Sequence, residues 1–131
     1  MRIAEFSAHR DDGTRYPAVE VCIYDTLKEM REAAKYGHSA YADALGVTRR
    51  YILGNVRIML SMEALSMRVI IHECSHAALA LRGAADIKSW TDEEYCHIHD
   101  EITCDIIDWI VNDVTDGSLP VDVSLESGEE K

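Results

Sequence analysis

Within the run VIIHECSHAALAL (69–81), His72, Glu73 and His76 stand at a spacing that could do chemistry. Four residues make slightly more than one helical turn, so on a helix both imidazoles leave from one face and each can give a nitrogen to a single metal ion. Glu73, beside the first histidine, can reach a metal-bound water without being a ligand and so serve as general base. Zinc is the metal this arrangement implies, because it draws the pKa of its water towards neutrality and polarises a carbonyl. The competing reading, two satisfied core histidines, is disfavoured: burying two imidazoles and a carboxylate on an apolar helix is costly without a partner.

A catalytic zinc usually takes three protein ligands and keeps a fourth position open. No further histidine follows closely in HECSHAALALRG, so the third ligand is expected to be a carboxylate from the next helical segment, which offers Glu94, Glu101, Asp105 and Asp108. At about 100° per residue, Glu94, Glu101 and Asp105 fall within about 40° of one another. Glu94 and Glu101 lie about 10 Å apart along the axis, so only one of them reaches a single ion. Glu101, nearer the middle of the segment, is the expected ligand. Glu94 is the alternative, and it also suits the partner of Thr91 in a capping box. Asp105, one turn beyond Glu101, is either a hydrogen-bond acceptor for the outward N–H of a ligating histidine or a solvated helix carboxylate. Cys74 reads as a core residue. Cys96, His97, His99 and Cys104 are the right kinds of donor for a structural zinc, but they lack the paired-cysteine spacing of such sites.

The elements that must position these groups can be read coarsely. RIAEF and AVEVCIY flank the turn cluster DDGT and suggest two strands; TRRYIL and VRIML flank Gly54-Asn55 and suggest a hairpin. Thr26 and Glu29 open a helix that stops at Gly37, and SAYADAL adds a weak helical signal. The histidine helix is expected from Glu63 or Ser66 to Leu81. A long helix over 91–113 follows, with Tyr95, Ile98, Ile102, Ile106, Trp109 and Ile110 as its apolar stripe. The fold class is therefore α+β: a small, mainly antiparallel sheet of about four strands packed on the motif helix and a following glutamate-bearing helix. Residues 1–116 are expected to form one domain and 117–131 an acidic, flexible tail.

With 131 residues the chain is long enough for a self-sufficient core. Its 24 acidic against 13 basic residues give a formal net charge of -11, which opposes direct nucleic-acid binding through a basic surface. No apolar run reaches bilayer length and no secretory signal is visible, so the expectation is a cytoplasmic protein with no membrane partner and four reduced cysteines.

HECSH together with DEITCD resembles the gluzincin-type zinc metallopeptidases, in which a glutamate ligand is followed four residues later by an aspartate. DEITCDIIDWIV is similar to the second helix of compact, often phage- or prophage-encoded metallopeptidases; the matching residues are Asp100, Glu101, Cys104 and Trp109, and the likeness spans about residues 48–112. It departs from the family in lacking the asparagine-containing form of the glutamate motif. The resemblance implies a zincin-like fold, zinc on His72, His76 and Glu101, Glu73 as base, and a peptide or protein substrate bound along a sheet edge, with VRIMLS as the candidate strand. Tyr41, Tyr51, Tyr95, His97 and His99 are chemically able to stabilise an oxyanion. The rival expectation is a catalytically silent interaction protein of the same fold, whose acidic surface binds a basic partner or mimics nucleic acid.

Overall fold

The computed structural model describes residues 2–8, 19–34, 43–50, 56–84 and 92–123, with only the backbone described for 2–8, 82–84, 92 and 94. Five strands or helices precede the motif helix: β1 (Arg2–Ala8), β2 (Val19–Tyr24), α1 (Leu27–Ala34), β3 (Val47–Arg50) and β4 (Val56–Ser61). A short 3-10 turn, Met62–Ala64, leads into α2 (Met67–Ala84), and α3 (Asp92–Trp109) runs into a π-helical turn at Ile110–Val114.

The class is mixed α and β, as expected. The sheet is mainly antiparallel, as expected, but its central pair is parallel. Three strands with described side chains lie in the order β2-β4-β3, and β1 adds along the free side of β2. β1 pairs antiparallel with β2, β3 pairs antiparallel with β4, and the central β2–β4 pair is parallel from Val19↔Val56 to Tyr24↔Ser61. VRIMLS is therefore an interior strand, which corrects its assignment as the substrate edge: both sides of β4 are taken up by the ladders to β2 and β3. The edge is β3.

Both faces of β2 and β4 are covered, which explains why VCI and IML read as continuous apolar runs rather than alternating ones. On one face Val21, Ile23, Ile58 and Leu60 meet Ile70, Cys74, Ala77 and Leu81 of α2 and Ile98, Ile102 and Ile106 of α3. On the other, Met59 and Val47 pack with Met30 and Ala34 of α1. The predicted stripe on α3 is the buried face: Ile98, Ile102, Ile106 and Ile110 are buried, with Tyr95 and Trp109 packed against them.

Local signals hold at two helix starts. Thr26 Oγ1 accepts the Glu29 N–H at 3.1 Å, and Ser66 Oγ accepts the Val69 N–H at 3.2 Å, each satisfying a first-turn amide. α2 continues past Leu81, its expected end, through Gly83 to Ala84. The Thr91 and Gly54-Asn55 turn signals fall outside the described residues. The packed chain also passes the expected boundary at 116: Met67 N donates to Pro120 O at 2.8 Å and Arg68 N to Val121 O at 2.9 Å, while Leu119 packs on the core. No described helix is long and apolar enough to cross a membrane.

Candidate functional site

The motif residues sort themselves by helical phase. Glu73, 100° from His72, turns inward and is 5% exposed, whereas His72 and His76 remain on the open face. The two rings lie edge to face, their centroids 4.8 Å apart and their planes at 79°. Two imidazoles at that separation on one helix face suit the shared ligation of one ion.

β3 and the segment before it build the opposite wall. Thr48 Oγ1 donates to Glu73 Oε1 at 2.7 Å and also lies 3.1 Å from the backbone oxygen of Glu73. One hydroxyl proton serves one acceptor well, and the shorter contact to the carboxylate is the stronger. Gly46 backs the same side chain: a Cβ at this position would stand 2.9 Å from Glu73 Cγ and 3.1 Å from Glu73 Oε2. The glycine thus permits backbone and carboxylate to approach closely. Arg31 Nε donates to Ala44 O at 2.8 Å and holds this segment from the α1 side.

Between these walls lies a cavity of about 570 Å³, lined by residues 44–48 on one side and by Arg68, Val69, His72, Glu73 and His76 on the other. Its size is in the range of ligand pockets. The sequence reading found the α2 wall. It missed Gly46 and Thr48, which no motif marks, and Arg68, whose place one turn before His72 on the same face was legible from the spacing.

α3 is joined to α2 beside this face. Ser75 Oγ donates to Ile71 O at 3.1 Å, so its 3.1 Å contact with His99 Nε2 is one in which the imidazole N–H donates. The Tyr95 hydroxyl donates to Ser75 O at 3.4 Å, and its ring stacks on His99. These contacts join two helices. His99 and Tyr95 are thus engaged at the helix interface, while Tyr41 and Tyr51 lie outside the described residues.

Glu101 is exposed, its Oε2 3.6 Å from His97 Nε2 on the same helix, and Asp105 is exposed one turn later. Glu94 belongs to α3, with its side chain outside the description. Among the described residues no three His, Cys, Asp or Glu side chains converge as a metal-holding group. The structure therefore brings His72, Glu73 and His76 together and does not bring Glu101 or Asp105 into a cluster with them. The same holds for Cys96, His97, His99 and Cys104 as a structural zinc set. Cys74 is core, and burial pushes its thiol up to about 12.

No family model, curated protein or solved structure matches this chain.

Proposed function

We propose that the protein is a zinc-dependent peptidase of the gluzincin type. The observation that carries this reading is the placing of all three motif side chains on one cavity beside a sheet edge, with Glu73 buried and held by Thr48. His72 and His76 would hold the ion; Glu101, which among the described residues is not clustered with them, would have to turn towards them to serve as third ligand, with Glu94 as the alternative. Zinc bound there would supply a polarised substrate carbonyl and a water acidified towards neutrality.

The remaining steps belong to the chain. Thr48 fixes Oε1 of Glu73, which leaves Oε2 as the oxygen to take a proton from the attacking water and return it to the departing amine. β3, paired among the described residues with β4 alone, offers its outer backbone groups to an extended peptide, which suits a peptide or protein substrate. The low-exposure carboxylate is thereby kept close to the place where a scissile bond would lie.

Elemental analysis of the wild type beside His72→Ala, Glu101→Gln and Glu94→Gln tests the ligand set. One zinc per chain is expected in the wild type and in Glu94→Gln, and little in the other two. Retention by Glu101→Gln with loss in Glu94→Gln would move the third ligand to Glu94. Glu73→Gln should keep the metal and lose peptide hydrolysis; a fully active Glu73→Gln would end the mechanism.

The second reading is a catalytically silent interaction protein. It is favoured by the absence of an assembled third donor among the described residues, and by the net charge of -11. Partner binding that survives both chelation and Glu73→Gln, in a protein without hydrolytic activity, would support it.

A further inference from the structure

Among the described residues that line the cavity, one is an arginine or lysine. Arg68 lies on its wall four residues before His72, and therefore on the same helix face, about 6 Å along the axis from His72 and about 12 Å from His76. The Arg68 side chain is 69% exposed and is met by a peptide segment of the chain itself: Nε donates to Asp122 Oδ2 at 2.8 Å, while the carbonyls of Pro120 and Val121 cap the first turn of the helix. Residues 119–122 thus present a carboxylate to the cavity's cation from a chain that is not part of the cavity wall.

We propose that Arg68 is a specificity-determining residue that anchors a carboxylate of a bound peptide, and that Asp122 holds this cation in the free protein. The inference rests on the peptide-binding reading of the cavity and adds the class of peptide it selects. For a peptide lying along the helix axis, strand residues rise about 3.3 Å each, so the carboxylate falls two to three residues from the bond over the histidines. A guanidinium presents five N–H donors in a fork suited to a carboxylate, and the Asp122 contact engages Nε. Both partners of that ion pair are largely open to solvent, so an incoming carboxylate can replace Asp122 at small cost. The chain's acidic excess, acting over about 8 Å at physiological salt, disfavours a polyanion and leaves a peptide with a single carboxylate as the ligand.

The test is fluorescence anisotropy with fluorescein-labelled, amide-capped octapeptides of neutral sequence, each with one Glu or the matching Gln moved along the chain. A parallel set carries a free C-terminal carboxylate and no Glu, which separates a side-chain ligand from a chain-end ligand. Binding is measured on the full chain, with and without added zinc, for wild type, Arg68→Gln and Asp122→Asn. The wild type is expected to favour one carboxylate position by about fivefold to tenfold over its neutral counterpart. Arg68→Gln should abolish that preference, so that matched Glu and Gln peptides bind alike, and Asp122→Asn should tighten carboxylate peptides about twofold to threefold. Equal binding of Glu and Gln peptides by the wild type, no binding of either, or a preference that survives Arg68→Gln would overturn the proposal. The readout needs no turnover. A preference seen in a protein that neither holds zinc nor cleaves peptides would uphold Arg68 and reject the peptidase, whereas hydrolysis without the preference would do the reverse.

Discussion

Helices α2 and α3 both carry imidazoles and carboxylates at helical spacing, but they use them differently. On α2 the acid of the motif is turned into the protein, where Thr48 and Gly46 clasp it, and the histidines beside it face a cavity. On α3 the acids Glu101 and Asp105 lie on the outer side of an isoleucine stripe and are open to solvent. A polar group acquires a defined place when a second element closes over it; sharing a helix with a suitable neighbour is not enough.

The largest effect should come from the clasped acid. If the proposed peptidase reading holds, Glu73→Gln lowers kcat/KM for a peptide by about 10²–10⁴-fold, measured beside a zinc determination so that a lost base is told apart from a lost metal. Within α3 the two sides should separate cleanly in urea denaturation. Ile102→Ala, which empties part of the core, should cost about 2–5 kcal/mol, and Asp105→Ala no more than about 0.5 kcal/mol. If Asp105→Ala were the costlier, the contrast between the helices would collapse.

The clasp itself ranks next. Gly46→Ala forces a methyl group against the Glu73 side chain and should destabilise by about 1–3 kcal/mol. Thr48→Val removes the donor to a buried carboxylate and should cost a similar ~1–3 kcal/mol. Both are read as shifts in the denaturation midpoint, and a midpoint unchanged in either would mean that the clasp does not hold Glu73.

Cys74 gives a pH test. Its folded thiol stands near 12 against an ordinary value of 9.0, with burial the main cause. The neutral thiol is what the fold favours, so its stabilisation is complete below about pH 9 and is lost as pH rises towards 12. Cys74→Ala should make stability fall less steeply over that window. In the native state at pH 8, a thiol reagent should modify the exposed Cys96 and Cys104 and leave the buried Cys22 and Cys74 until the protein unfolds. The smallest change should be Asp122→Asn, whose exposed ion pair is worth no more than about 1 kcal/mol by thermal denaturation.

How much of this was legible follows from the range over which each signal acts. The inward isoleucines of α3, the cap at Thr26, and the relative phase of His72, Glu73 and His76 are local, and each appears where the spacing puts it. The parallel pairing of β2 with β4 is set by how separate elements stack, so two hairpin-like patterns did not reveal that VRIMLS would be enclosed. Thr48 lies 25 residues from the acid it holds and carries no motif to announce the contact. The same limit applies to Glu101: its phase on α3 was readable, but the rotation of that helix about its axis relative to α2 was not.

The two carbonyls that complete the start of α2 come from Pro120 and Val121, some fifty residues further along the chain. During synthesis the motif helix can be made in full, and α3 after it, while the amides of Met67 and Arg68 still look to water for partners. Closing so long a loop carries an entropic cost, and hydrogen exchange at those two amides would report how firmly residues 120 and 121 hold the start of the motif helix.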